Sequence, residues 1–333
     1  MQNAEKDLAG HSAFCLPLSA FCILPSLSML LGVEIGGTKL QFVLGDEAGK
    51  ICERRKLSVD PARGAAGIRQ QIEEVLPELL RGRRIVRVGV GFGGPVDWKT
   101  GRICRSHQIE GWSEFDLGGW LRQLAGAPVV VDNDANVAAL GEAMRGAGVG
   151  SNPVFYVTLG SGVGGGLVAD GRIYHGAKPG EAEIGHVRLD RHGTIVEARC
   201  SGWAVDARIR ELKAKEPGCL LARLTGQTVG GEAKHLAAAW QQGDGAARRL
   251  LQETAEDLAF GLSHVVHLLH PEIIVLGGGL SGVGEPLRAS VESALRPFTM
   301  EAFAPGPSIA LAGLGEDAVP VGALELARTS AGD

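Results

Sequence analysis

The sequence predicts an α/β fold of two lobes that face one another across a cleft. Strand and helix patterns alternate from Leu31 onward. Two stretches share one plan of β run, glycine turn and β run: "VEIGGTKLQFVL" from Val33 and "VTLGSGVGGGLV" from Val157. The length of 333 residues allows about two domains. Two similar units, each with a glycine hairpin, would leave between them a cleft of the kind that commonly binds small ligands.

Apolar spacing and glycine or proline punctuation assign the elements in chain order. A hairpin over 30–46 precedes a helix over 64–82 and a buried strand over 85–97 that runs into a Gly-Pro loop. A strand, tight turn and helix over 127–146 lead to a second hairpin over 153–176. The remaining elements are helices near 201–214, 231–242 and 246–269, a buried strand over 271–279, and helices over 284–295 and 319–328.

The composition excludes several classes of protein. Hydrophobic residues make up 45% of the chain and the formal charge is −5, so there is no broad basic face and nucleic acid is not an expected partner. The six cysteines form no C-x-x-C pair, which argues against a zinc ribbon, a thioredoxin-type site or a disulfide scaffold and favours a reducing cytoplasm. The 50 glycines, about twice the usual share of ~7%, suggest several loops that approach a ligand closely.

The N-terminus carries a mostly apolar run, "AFCLPLSAFCILPSLSMLL", over 13–31. Pro17 and Pro25 interrupt it, and no positive segment or cleavage site of a signal peptide is obvious. We expect the fold to begin near Met29, with residues 1–28 as an extension. A membrane-associated segment and an ordered extra element remain alternatives.

The glycine-rich loops suggest a split phosphate site. "GVEIGGTK" is no Walker loop, because threonine precedes lysine and a strand follows. Two stretches match the dinucleotide fingerprint by letter. The match at Gly160 is followed by a strand-like run instead of a helix, and the match at Gly277 lies near the end of the chain instead of early in a βαβ unit. Successive backbone N–H groups in the two hairpin turns could instead converge on phosphate oxygens. Thr38, Ser161 and Lys39 would add donors and charge, and the loop at 277–279 would lie against the nucleoside.

An acidic cluster follows a buried strand in "VVVDNDANVAALGE", where Asp132, Asn133 and Asp134 open a helix. Capping and the helix dipole alone favour acids there, by about 0.5–2 kcal/mol, and explain one acid rather than the cluster. Asp134 could instead accept a proton from a substrate hydroxyl, as an aspartate does in many phosphoryl transfers.

These motifs in this order resemble the ROK family of sugar kinases and related repressors. The matching stretches are "VEIGGTK", "GFGGPVD", "DNDANVAALGE", "TLGSGVGGGLVADGRIYHGAKPGEAEIGH" and "VLGGGLS", and the resemblance covers about 31–328. It implies an actin/hexokinase-like (ribonuclease H-like) fold with the active site in the cleft. The small lobe would comprise 29–132 plus about 315–330, and the large lobe 133–314.

The resemblance also implies roles for single residues. Asp134 matches the general base that activates a hexose hydroxyl, and Glu34, where aspartate is commoner, would hold Mg²⁺ through water. The implied sugar contacts are Gly94, Asn133, Asp134, Glu183 and His186. The implied nucleotide contacts are Gly36, Gly37, Thr38 and Lys39, then Gly160, Ser161, Gly162 and Gly164, then Gly277, Gly278 and Gly279.

One departure concerns structural zinc. Many family members bind zinc through the histidine of E-x-G-H and three cysteines, whereas this chain keeps His186 and one cysteine, Cys200. Tetrahedral zinc needs four such ligands, so we expect no structural zinc, with Trp203 and Val205 packed where the metal would lie. Asp206 is the expected stand-in for a sugar-binding glutamate of that motif. Gln108 replaces a usual asparagine and is equally compatible with a sugar contact or a surface position.

The expected function is ATP-dependent phosphorylation of glucose or a related hexose with Mg²⁺, by a homo-oligomer of two or four chains. A sugar-binding sensor without catalysis and a ROK-type transcriptional regulator are the alternatives, and the regulator would need a longer N-terminal DNA-binding segment. His264, His267 and His270 recur every third residue, and we expect packing and capping from them rather than metal binding.

Overall fold

The first sheet has five strands, in the order β3-β2-β1-β4-β7. The computed structural model describes residues 28–104, 109–178, 180 and 182–330, so Gln108 and nearly all of the apolar N-terminal run lie outside the described residues. The meander β1–β2–β3 is antiparallel, and β4 and β7 run parallel to β1. The strands are β1 (Ser28–Ile35), β2 (Lys39–Gly45), β3 (Ile51–Ser58), β4 (Arg84–Phe92) and β7 (Val129–Asn133).

The second sheet repeats this topology with the order β10-β9-β8-β11-β12. Again three antiparallel strands are followed by two that run parallel to the first. The predicted internal repeat is therefore confirmed, and it extends beyond the hairpins to all five strands. These strands are β8 (Val154–Leu159), β9 (Val163–Ala169), β10 (Arg172–Ile173), β11 (Ile273–Gly277) and β12 (Ser308–Leu311).

Helices lie between the strands and confirm the predicted α/β alternation. They are α1 (Gly64–Leu80), α2 (Leu117–Ala125), α3 (Asp134–Arg145), α4 (Val196–Cys200), α5 (Gly202–Lys215), α6 (Leu220–Thr225), α7 (Leu236–Gln241), α8 (Gly245–Leu269), α9 (Glu285–Leu295) and α10 (Ala318–Thr329). A small hairpin of β5 (Val96–Asp97) and β6 (Arg102–Ile103) follows β4. Among the described residues, no helix is both long and apolar enough to cross a membrane.

Helices α3 and α10 pack against one another where the two sheets meet. Helix α10 covers β1 and β4, and α3 covers β8 and β9. Glycine permits the close crossing, because a methyl group at Gly322 would lie 1.8 Å from the Val137 carbonyl oxygen. One at Gly141 would lie 2.4 Å from the Ala318 carbonyl oxygen. This tight crossing sets the position of Asp134, the first residue of α3, relative to the first sheet.

Candidate active site

The turn from β7 into α3 is shaped by two side chains that precede Asp134. Asn133 caps the helix, since its Oδ1 accepts hydrogen bonds from the backbone N–H of Ala135 at 2.9 Å and of Asn136 at 3.4 Å. Its Nδ2 donates to the Gly94 carbonyl at 3.1 Å. Asp132 Oδ1 accepts from Asn133 N at 2.7 Å and from Asn136 Nδ2 at 3.0 Å. Capping thus occupies Asn133 and Asp132, and Asp134 is presented to the cleft.

The surroundings of Asp134 favour the protonated form of its carboxyl group. Burial, followed by the negative charge of Glu34, raises its pKa to about 7, and Glu183 adds to the rise. Backbone hydrogen bonds from Ala135 and from Asp134 itself act in the opposite direction. A methyl group at Gly93 would lie 3.4 Å from Asp134 Oδ2 and 3.7 Å from Gly36 Cα. The carboxylate therefore lies beside the first glycine loop, where a sugar hydroxyl and a phosphate could meet.

The first glycine loop joins β1 to β2 and contains Gly36, Gly37, Thr38 and Lys39. It is tight, because Gly36 N donates to the Lys39 carbonyl at 2.9 Å. Glu34 and Gln41 face one another across the hairpin, and Glu34 accepts from Gln41 Nε2 at 3.0 Å and pairs with Lys39 Nζ at 2.8 Å. Burial raises the Glu34 pKa, and Lys39 and Gln41 oppose the rise.

The Glu34 carboxylate fits Mg²⁺ bound through water. Each of its oxygens already has a protein partner, Lys39 or Gln41, which suits an outer-sphere contact better than direct ligation. In nucleotide sites Mg²⁺ usually keeps several waters and takes one or two carboxylates plus the substrate phosphates.

The second and third glycine loops meet at the ends of β8 and β11. In the second loop, Gly160 N donates to the Gly162 carbonyl at 3.0 Å, and the Gly160 carbonyl accepts from Gly202 N at 2.7 Å. In the third loop, Gly278 has φ +80°, and a methyl group there would lie 2.5 Å from Leu159 N. The structure thus brings Gly160–Gly164 and Gly277–Gly279 together on the second sheet, with the first loop on the other sheet.

Glu197 is a site residue that sequence reasoning missed. Its Oε2 accepts from Val163 N at 2.9 Å, and a methyl group at Gly162 would lie 2.4 Å from the same oxygen. This carboxylate therefore braces the second glycine loop from α4. A single acid in a short helix carries no spacing signal, so only the fold could reveal it.

The predicted sugar contacts Glu183 and His186 lie close together in the chain. Glu183 and His186 bound a short 3-10 turn over Ile184–His186, and both side chains are exposed while Ile184 and Gly185 are buried. A cavity of about 260 Å³ includes Glu183 in its lining, together with Pro95, Val96, Trp98, Asp132, Asn133, Asn136 and Gly180. Two of the predicted positions, Asn133 and Glu183, therefore line this space, and Gly94 is joined to Asn133 by the hydrogen bond described above.

The prediction for Asp206 is wrong. Its side chain is buried, with Oδ2 accepting from Gly231 N at 2.8 Å and Oδ1 from Ala233 N at 2.7 Å. Both oxygens stabilise the backbone near 231–233, so the carboxylate is not available to a sugar. Its place on a predicted helix did not reveal which face of that helix meets the cleft.

The packing predicted around Cys200 is right for Val205 and wrong for Trp203. Val205 is fully buried, whereas Trp203 is 70% exposed. Cys200 lies in the core of the second lobe, with Sγ 3.7 Å from the Thr254 carbonyl oxygen, and burial raises its thiol pKa to about 12. Within the described ranges, no group of three His, Cys, Asp or Glu side chains is placed to hold a metal ion.

The three histidines of α8 pack and cap, as predicted. His270 ends the helix in the left-handed conformation and stacks on Phe303 at 3.9 Å. His267 accepts a hydrogen bond from Met300 N at 3.2 Å. His264 makes an edge contact with Phe260 at 5.2 Å.

Comparison with known proteins shows which family this chain resembles. The model of the ROK family matches residues 30–330. Glucokinase from Thermotoga maritima is 31% identical over 311 residues, which cover 91% of this chain and 98% of the relative. Glucokinase from Halalkalibacterium halodurans is 32% identical, with 88% and 92% covered. The structure of a ROK family glucokinase from Streptomyces griseus, in complex with glucose and AMPPNP, aligns with a TM-score of 0.79 at 32% identity and covers 90% of this chain and 99% of that chain. On the strength of a match across nearly its whole length, this chain belongs to the ROK family.

Proposed function

We propose that this ROK-family sugar kinase transfers the γ-phosphoryl group of ATP to a hydroxyl of glucose or a closely related hexose, with Asp134 as the general base. The observation that carries the proposal is the position of Asp134, whose pKa is raised to about 7 beside the first glycine loop. The glucokinase relatives support glucose as the first sugar to test.

In the proposed reaction each group has a separate task. Asp134 accepts the proton of the hexose hydroxyl, and that oxygen forms a bond to the γ-phosphorus while the bond to the β,γ-bridging oxygen breaks and ADP leaves. Backbone N–H groups of the glycine loops receive charge on the phosphate oxygens. Asn133, Gly94, Glu183 and His186 orient the sugar, because a well-placed hydroxyl removes most of the entropic barrier.

The proposed reaction also requires Mg²⁺. When bound with ATP, Mg²⁺ neutralises negative charge on the β- and γ-phosphates, and Glu34 would hold it through water. Lys39, which pairs with Glu34, lies in the same loop and would be the nearest side-chain cation to the phosphates.

The proposed setting is the reducing cytoplasm. The four described cysteines, Cys52, Cys104, Cys200 and Cys219, are unbonded, which supports that compartment. A homo-oligomer of two or four chains stays a prediction by resemblance.

A screen of acceptors tests the proposal. Purified protein with ATP and Mg²⁺ is mixed in turn with glucose, mannose, fructose, N-acetylglucosamine and N-acetylmannosamine, and ADP formation is measured. We expect turnover with glucose or another of these hexoses, at rates typical of kinases, about 1–100 per second. Binding of a sugar by calorimetry without ADP formation from any of them would instead indicate a sensor and contradict the proposal.

A further inference from the structure

One histidine in the chain segment after β10 contacts the buried acid next to the proposed base. His175 Nε2 lies 2.6 Å from Asp132 Oδ2, and only 16% of its side chain is exposed. His175 belongs to the segment that leads from the second sheet towards Glu183. Asp132 belongs to β7 of the first sheet. The contact therefore joins the two lobes beside the cavity that Asp132, Asn133 and Glu183 line.

The Asp132 carboxylate is fully occupied in this arrangement. The residue is 3% exposed, and its Oδ1 accepts from Asn133 N and Asn136 Nδ2. Those two bonds shape the turn that presents Asp134. The second oxygen, Oδ2, faces His175, and a buried carboxylate that loses such a partner is strongly disfavoured. Removing the imidazole would therefore favour a shift of Asp132 and of the turn that it holds.

A second contact fixes the plane of the imidazole. His175 stacks on Trp98 with ring centroids 4.1 Å apart and an interplanar angle of 15°. Trp98 follows β5 in the first lobe and lines the cavity that also contains Asp132, Asn133 and Glu183. With one nitrogen on Asp132 and one face on Trp98, the ring has little freedom to reorient.

The structure assigns to His175 the role of a positioning residue: through Asp132 it holds the Asn133–Asp134 turn in register with the sugar-binding segment of the opposite lobe. It does not contact the reacting atoms in this arrangement. The inference rests on the proposed function, because the expected change in kcat/KM requires that the protein phosphorylates a hexose. The His175 contacts lie on the sugar side and the three glycine loops on the nucleotide side, so a change at His175 should affect the sugar and spare the nucleotide.

The test compares His175→Ala and His175→Gln with the wild-type protein. Gln can place its amide nitrogen near the position of the histidine Nε2 and so can restore the donor to Asp132. We expect Ala to lower kcat/KM for glucose by about 10- to 100-fold, the scale of a 1 Å misplacement, and to leave the Kd of AMPPNP within about twofold. Gln should recover most of the loss. Combined with Asp132→Asn, the Ala variant should lose less than the sum of the two single effects.

Lys178→Ala is the matched control. Lys178 lies three residues further on and pairs with Asp97 at 2.5 Å, but its side chain is 44% exposed, and such surface pairs contribute little. This variant should change kcat/KM for glucose by less than about twofold.

Several results would overturn the inference. They are an unchanged kcat/KM in His175→Ala, an equal loss of AMPPNP affinity, or a Gln variant as impaired as Ala. If the wild-type protein phosphorylated no hexose, the proposed function would fail by itself. The Kd of glucose, measured by calorimetry in the same variants, would then decide the role of His175 separately: weakened in Ala and restored in Gln if the inference holds, and equal to wild type in both if it does not.

Discussion

Asp134 owes its chemical character to residues distant in sequence. Its raised pKa reflects burial first and then the charge of Glu34, a hundred positions earlier in the chain. A base with a pKa near the operating pH combines a useful ionised fraction with a useful affinity for the proton. The motif around Asp134 made it the candidate base from sequence, but its raised pKa depends on burial and on the nearby charge of Glu34, which only the fold provides.

We predict a pH dependence that follows from this pKa of about 7. Asp134 must be ionised to accept a proton, so kcat/KM for the sugar should rise with pH, reach half its maximum near pH 7, and fall about tenfold per pH unit well below it. Glu34→Gln removes a charge that raises the Asp134 pKa, so the half-maximum should move to lower pH. A pH–rate profile of both proteins measures this, and a wild-type profile that is flat between pH 5 and 8 would contradict it.

Other single residues show the limit of reasoning from a motif. Sequence pattern led to Asp206 as a sugar contact, whereas its two oxygens cap the backbone near 231–233. Glu197 was overlooked, although it accepts from Val163 N in the second glycine loop. Helical periodicity places Asp206 on the predicted helix near 201–214, whereas Glu197 lies outside every predicted helix. Periodicity does not show which neighbouring loop a helical side chain faces.

At the scale of elements, the glycine-mediated crossing of α3 and α10 joins the lobes. Gly322 and Gly141 remove the side chains that would keep the two helix backbones apart. Because α3 begins at Asp134, any shift in the crossing also moves the proposed base. Sequence analysis predicted both helices, but not that they would touch, since α3 lies in the first half of the chain and α10 near its end.

Gly322→Ala should destabilise the protein. Its methyl group would lie 1.8 Å from the Val137 carbonyl oxygen, and overpacking of this kind costs about 1–3 kcal/mol. In a chain of 333 residues each kcal/mol lowers Tm by no more than about 2–4 °C. The measurement is thermal unfolding by circular dichroism.

Gly218→Ala is the control for that substitution. A methyl group at Gly218 meets no atom within 4 Å, so its Tm should match that of the wild-type protein. Equal Tm values for the two variants would show that the crossing is looser than described here.

Several elements could not be predicted from their own sequence. Strand β3, "ICERRKLS", has mostly exposed side chains and lies at the edge of its sheet, so it shows no clean apolar alternation. Strand β12 has four residues and gains its pairing from β11. Both strands form because a neighbouring strand pairs with them, and their own sequences carry no strong strand pattern.

At the scale of the whole molecule, two copies of one five-stranded topology face each other. The visible repeat of the glycine hairpins predicted this arrangement, because each hairpin comprises the first two strands of its sheet. Each sheet therefore contributes a different part of the proposed site. The first sheet contributes β1, β4 and β7, with Glu34 and the turn that leads to Asp134, and the second contributes two glycine loops. The exact lobe boundaries, 29–132 plus about 315–330 against 133–314, stay a prediction.

The central claim is that Asp134 acts as the general base, and that the site still binds both substrates when the Asp134 carboxylate is removed. The most direct measurement compares wild-type protein with Asp134→Asn, using kcat with glucose and ATP together with calorimetric Kd values for glucose and AMPPNP. General-base catalysis contributes about 10²–10⁴-fold, so we predict a loss of kcat of that size, with the AMPPNP Kd unchanged and the glucose Kd within about tenfold. An Asp134→Asn protein that keeps a tenth or more of the wild-type kcat would contradict the account.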